Sequence, residues 1–225
     1  MEKIISGEFA PGQRLVEEDL ARTYKVSRTP IREVLLAFQK DGLVERVSNK
    51  GAKVASFTAD DVGELFDIRK TLEVGCVRTA IRIIKMSELV ELEHHLVSLE
   101  GGSGPGWMRA HADIDLKLHH LIVVNSGNRR LIAYMKHLSM LTESLQLASY
   151  PEDHVRKIGE QHLAIIRALA RSGVELAQHL IAEHIEYGKR NAIELCVRRE
   201  LPQGAYVGES VRAGQPAHQQ EAARP

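Results

Sequence analysis

Residues 24–53 read YKVSRTPIREVLLAFQKDGLVERVSNKGAK, and the apolar positions in this stretch change period. Val34, Leu35 and Phe38 recur at the spacing of a stripe on one helical face. Ser27 stands ahead of them as an N-cap, and Pro30 falls in the first turn, where a missing N–H costs nothing. Gly42 follows as the αL cap. Two β-type runs come next, 43–47 and 52–57, joined by a polar turn of Ser48, Asn49, Lys50 and Gly51. The pattern predicts a helix with one buried face and a free N-terminal end, then a two-stranded wing. Arg28, Thr29 and Arg32 project from the first turns of that helix. A planar fork of donors suits a guanine edge or a phosphate, and a hydroxyl reaches either, so the element reads as a DNA-recognition helix.

On either side the periodicity is helical. Residues 16–24 form a helix that crosses behind the recognition helix, after a turn at Pro11 and Gly12. Residues 1–6 read as the last turns of a helix that begins upstream. Residues 55–58 lead out, with Thr58 as N-cap of the next helix. From Asp60 onward no strand is predicted, and Leu65, Ile68, Leu72, Cys76 and Ala80 share one helical face. Further helices are expected at 87–99, 107–124, 128–149, 151–172 and 174–199, with the glycine-rich 101–106 as a flexible connection. After Leu201 the chain is polar and rich in Gly, Pro, Ala and Gln, the composition of a disordered tail. The predicted fold is mainly α: an N-terminal winged helix-turn-helix (1–57), an all-α antiparallel bundle of about six helices (58–200), and the tail (201–225).

Composition narrows the function. The formal net charge of the 225 residues is +0, so no general attraction to nucleic acid exists. Residues 25–53 nevertheless hold seven cations, Lys25, Arg28, Arg32, Lys40, Arg46, Lys50 and Lys53, against Glu33, Asp41 and Glu45. Such a patch can replace counterions on phosphates, although charge alone also describes an ordinary solvated face. No apolar run approaches the roughly 20 residues needed to span a bilayer, and no secretory leader is visible. Cys76 and Cys196 make no redox or metal motif and read as small buried hydrophobes in a reducing cytoplasm.

A second constellation lies in the helical part. Asp115 and His119 are four residues apart and stand on one face of one helix, while His162 and His184 fall near the middle of two later helices. One carboxylate and three imidazoles meeting inside a bundle would suit a divalent transition metal such as zinc, nickel or manganese. Periodicity does not prove that they meet. The chain has 11 histidines, and a lone histidine on a helix is more often a satisfied surface or core residue than a ligand.

The motifs resemble a known family. Gly7, Pro11-Gly12, Leu15, Leu20-Ala21, Val26-Ser27-Arg28-Thr29-Pro30, Arg32-Glu33, Gly42-Leu43-Val44 and Asn49 to Gly51 are similar to the winged helix-turn-helix of the GntR family of bacterial transcription regulators. The resemblance implies that Ser27, Arg28, Thr29 and Arg32 meet DNA from the recognition helix, and Asn49, Lys50 and Gly51 from the wing. One departure is Glu18, where many relatives carry a basic residue. The segment DIDLKLHHLIVVNSGNRRL and the later EQHLAIIRALARSGVELAQHLIAEH resemble the helical effector domain, FCD, of the FadR-type branch. Six helices place it nearer the VanR subgroup.

That second resemblance implies that Asp115, His119, His162 and His184 are metal ligands with open positions for water or a ligand carboxylate. Arg69 is the cation expected at the effector's carboxylate, and pairing with Glu73 one turn on is an equal alternative. Asn128 is expected to bind effector or to cap its helix. The implied protein is a cytoplasmic homodimer that binds double-stranded operator DNA, most simply as a repressor relieved by a small organic acid. An activator, a regulator with a metal-free or purely structural site, and a metal-dependent enzyme are the alternatives. Against the enzyme, no general base or second catalytic motif accompanies the ligand set.

Overall fold

The structure, a computed structural model, describes residues 4, 8–47, 51–146 and 151–200. The N-terminal part contains β1 (Arg14–Leu15), α1 (Glu17–Tyr24), α2 (Arg28–Lys40), β2 (Val44–Val47) and β3 (Gly51–Val54). Local signals explain the boundaries. Lys25 takes a left-handed conformation at the end of α1, so the chain turns sharply into α2. At the far end of α2 Gly42, at φ +71°, supports a Schellman turn: Leu43 N–H donates to Phe38 C=O and Gly42 N–H to Gln39 C=O. The strands form one antiparallel sheet in the order β1-β3-β2, with Glu45 opposite Lys53 and Leu15 opposite Ala52. The short β1 was not foreseen, because two residues are too few to show a period.

The apolar face of α2 departs from expectation. Leu35 is buried and Phe38 half-buried, but Val34 is exposed, and Ile31 completes the stripe in its place. Positions 31, 35 and 38 lie on one face, whereas 34 falls to its side. Leu35 packs with Leu15, Leu43, Val44, Ala52 and Val54 to form a small core.

Six helices follow among the described residues: α3 (Ala59–Ala80), α4 (Met86–Ser98), α5 (Gly104–Val124), α6 (Arg129–Gln146), α7 (Glu152–Ala170) and α8 (Val174–Glu200). Thr58 caps α3 as expected, in a reciprocal box with Asp61. Helix α8 lies antiparallel along α3: Lys189 bonds Asp67, Lys70 bonds Glu186, and Gln178 donates to the carbonyl of Val74. Val62, Phe66, Leu118, Ile122, Ile165, Ile166, Ile181 and Ile185 fill the centre. Cys76 and Cys196 are both buried and free, as expected.

Two further expectations are corrected. The buried line of α3 runs through Val62, Phe66, Arg69, Glu73, Cys76, Val77 and Ala80, while Leu65 and Leu72 flank it and Ile68 is exposed. Two charged residues therefore occupy interior positions that a hydrophobic pattern assigns to their neighbours. The glycine-rich 101–106 is also held rather than loose. Gly104 opens α5 and donates to Glu152, Arg156 donates to the carbonyl of Gly102, and the Trp107 indole N–H donates to the carbonyl of Leu99.

The two cores are joined. Leu141 of α6 is buried in the N-terminal core, where a Cβ on Gly42 would lie 3.7 Å from its Cδ2. Earlier on the same helix, Met135 and Leu138 pack with Val123 of α5. Among the described residues no helix is long and apolar enough to cross a membrane. The expected first helix (1–6) and the tail (201–225) lie outside the described residues, residue 4 excepted.

Candidate DNA-reading surface and metal centre

The free end of α2 offers the groups expected of it. Ser27 occupies the N-cap in extended conformation, but its hydroxyl makes no capping hydrogen bond, which leaves the oxygen available outward. Arg28, Thr29 and Arg32 are exposed. Arg28 Nη2 lies 3.6 Å from Glu17 Oε2 on α1, a loose contact between the two helices. On the wing, Gly51 is exposed at φ +89°, and a Cβ there would come 3.1 Å from the carbonyl oxygen of Leu15. Both its conformation and its closeness to β1 require glycine. Asn49 and Lys50 lie outside the described residues.

The second constellation converges. Asp115 and His119 on α5, His162 on α7 and His184 on α8 each offer one ligand atom, and these atoms all lie within 4.8 Å of one another. Asp115 Oδ1 is 2.9 Å from His162 Nε2, 3.5 Å from His184 Nε2 and 3.6 Å from His119 Nε2. His184 Nε2 is 3.1 Å from His119 Nε2 and 3.3 Å from His162 Nε2. Ligands at about 2.1 Å from an ion have edges of about 3.4 Å in a tetrahedron and about 3.0 Å between neighbours in an octahedron. Five of the six edges, at 2.9–3.6 Å, fall close to these values and all six lie within 4.8 Å, and the chemistry of one carboxylate with three imidazoles fits a divalent ion. The three histidines are buried, and Asp115 is slightly exposed.

What stands behind each imidazole differs. His119 Nδ1 meets Glu73 Oε2, and Glu73 Oε1 accepts from Arg69 Nε at 2.7 Å. His184 Nδ1 lies 3.0 Å from Gln161 Oε1. Among the described residues His162 Nδ1 has no hydrogen-bond partner. Arg69 is thus buried beside the cluster with its Nε on Glu73, the alternative pairing, and Asn128 Oδ1 accepts from the N–H groups of Arg130 and Leu131 at 3.2 Å, capping α6. Glu73 and Gln161 were missed in the sequence. Glu73 was visible only as a helical partner of Arg69, and nothing in its spacing reveals burial.

The electrostatics follow from this packing. Burial alone would raise the Asp115 carboxyl, but His119 beside it and hydrogen bonds from all three imidazoles hold it well below the usual carboxylate range. Burial would lower His119, yet Glu73 against its ring raises it to about 9. Burial, with His162 adjacent, pushes His184 down to about 3. Glu73, despite full burial, is held at about 2 by His119 and Arg69. A cation entering at neutral pH would therefore have to displace a proton from His119. Metal affinity is expected to rise about tenfold per pH unit between pH 6 and 8. Competition titrations with a chelator at several pH values measure that slope, and a flat profile would show that no proton leaves.

Comparison with known proteins decides the family. Residues 1–54 match the model described as "Bacterial regulatory proteins, gntR family", and residues 64–187 match the FCD domain. The chain belongs to the GntR family. This GntR protein is 33% identical to the uncharacterized HTH-type transcriptional regulator YdhC of Bacillus subtilis (strain 168), over 84% of its own length and 90% of that protein's. It is 29% identical to the Nta operon transcriptional regulator of Aminobacter aminovorans, over 81% of this chain and 85% of that one. The fold of E. coli McbR/YncC superposes with a TM-score of 0.70 at 20% identity, covering 88% of this chain and 92% of the other. Like its relatives, this GntR protein with its FCD domain is a DNA-binding transcription regulator and not an enzyme.

Proposed function

We propose that this GntR regulator is a repressor whose grip on its operator is set by a small carboxylate metabolite, taken up at a divalent metal ion in the FCD domain. Residues 1–57 act as the reading head, and residues 58–200 bind effector and pair two protomers, so that two recognition helices face a pseudo-palindromic site. The observation that carries this reading is the convergence of Asp115, His119, His162 and His184 from three helices onto one point. When bound there, zinc, nickel or manganese would supply a Lewis-acidic centre with open positions for a carboxylate. Arg69 adds a fixed positive charge beside it, felt at His119 and His162.

The effector shifts operator affinity only as far as it prefers one arrangement of the bundle over another. On the reading head, Ser27, Arg28, Thr29 and Arg32 meet DNA from α2, with Asn49, Lys50 and Gly51 following from the wing. Arg32→Ala is expected to weaken operator binding by about 1–3 kcal/mol and to relax preference at one base position, whereas Lys50→Ala weakens binding evenly across sequences. Anisotropy titrations on operator variants distinguish the two effects.

One observation favours a second reading, a polar cluster with no ion. His162 Nε2 already lies at hydrogen-bond distance from Asp115, so the group can satisfy part of its own polarity. Elemental analysis of purified protein before and after chelation, with a thermal-shift screen of small organic acids on each, separates them. One ion per chain and acid-dependent stabilisation only in the loaded form support the metal centre. Stabilisation by the same acids after complete chelation supports the metal-free site.

A further inference from the structure

Glu73 is the most deeply buried charged residue of α3, and its two oxygens have separate partners. Oε1 takes the Nε–H of Arg69, and Oε2 meets Nδ1 of His119. A buried ion pair is weak evidence for stability, since apolar residues of similar volume serve a core at least as well. The geometry gives this one a different use. Nδ1 is the nitrogen of His119 that points away from the cluster, while Nε2 faces Asp115 and His184. A carboxylate only accepts, so beside it the proton of neutral His119 sits on Nδ1 and the lone pair is left on Nε2, the atom an ion requires.

We propose that Glu73 is the positioning residue of the cage: it fixes the tautomer and aim of His119, and Arg69 holds Glu73 in register by occupying its other oxygen. The proposal rests on the reading of the cluster as a metal centre. His184 has only the neutral Gln161 behind it, and among the described residues His162 Nδ1 has no partner, so His119 is the ligand whose orientation an anion controls.

The isosteric Glu73→Gln distinguishes this role from plain packing. A glutamine has one acceptor and one donor end where glutamate has two acceptors. Its oxygen satisfies Arg69 only if its NH2 faces His119, which forces the proton of that ring onto Nε2. Removing the arginine frees the oxygen to accept from Nδ1 again. The experiment titrates Co2+, whose visible absorption reports its coordination, into the full chain as parent, Glu73→Gln, and the double variant Arg69→Met with Glu73→Gln.

The parent is expected to take up one Co2+. Glu73→Gln should lower that affinity about 10–100-fold and shift the absorption to that of an ion with one imidazole fewer, and the double variant should regain most of the loss. Parent affinity and spectrum in Glu73→Gln would overturn the role of Glu73 and leave the metal centre standing. A double variant no tighter than the single would overturn it too, showing a packing role. Failure of the parent to take up Co2+ would overturn the metal centre itself, and this inference with it. If Glu73→Gln does not fold, the double variant is compared with Arg69→Met plus Glu73→Met. An affinity about tenfold higher with glutamine supports the role, and equal affinities refute it.

Discussion

Replacing His184 by alanine is expected to abolish stoichiometric metal uptake, with a loss larger than the roughly 10–100-fold that follows removal of an outer partner. His184 Nε2 lies within 3.5 Å of the ligand atoms of Asp115, His119 and His162, so it touches every other vertex of the cage. Without it Asp115 and His119 remain from one helix and His162 from another, and α8 no longer shares in the site. His184 is not among the residues that form the core of the reading head. Ligand-free operator binding should therefore stay near the parent value, while the response to any small acid disappears. Isothermal titration with Zn2+ and anisotropy with operator DNA check the two halves of this expectation. Undiminished metal uptake would place the ion elsewhere.

Leu141→Ala should cost about 2–5 kcal/mol of stability, the range for truncating a large buried aliphatic side chain. Its functional consequence should exceed its thermodynamic one. Leu141 is 7% exposed and belongs to the core that also holds Leu35, Leu43 and Val54, although it is carried by α6. Met135 and Leu138 on that helix pack on Val123, one turn beyond His119. A displacement of α5 on ligand uptake would thus be delivered through α6 to the floor of the reading head, beside the turn at Gly42. Denaturant unfolding measures the stability loss. Metal uptake of parent strength, together with operator affinity that no longer responds to effector, is the expected signature. A fully retained response would mean that coupling runs by another route.

Ser27, Gly42 and Thr58 act within a few residues of themselves, and the elements they bound were legible from local chemistry alone. Asp115 and His119 share a face because four residues make about one turn, and that too was visible. Their meeting with His162 and His184 depends on how α5, α7 and α8 pack, which no spacing encodes; a family resemblance supplied the expectation. The interior line of α3 was not legible, for a physical reason. Charged side chains are ordinarily assigned to solvent, so the exposed Ile68 was read as part of the buried face, and Glu73 was seen only as a helical partner of Arg69. The glycine-rich connection before α5 misled in the opposite sense, because Glu152, Arg156 and Trp107 tie it down from positions that its own composition does not reveal.

The most direct test measures operator affinity against a series of small carboxylic acids, using the same protein with its metal restored and after exhaustive chelation. Loss of operator affinity on adding one of these acids to the metal-loaded protein, and no change in the chelated protein, is the expected result. An identical response in both forms, or none in the loaded form across the series, would contradict control of DNA binding through the Asp115, His119, His162 and His184 site.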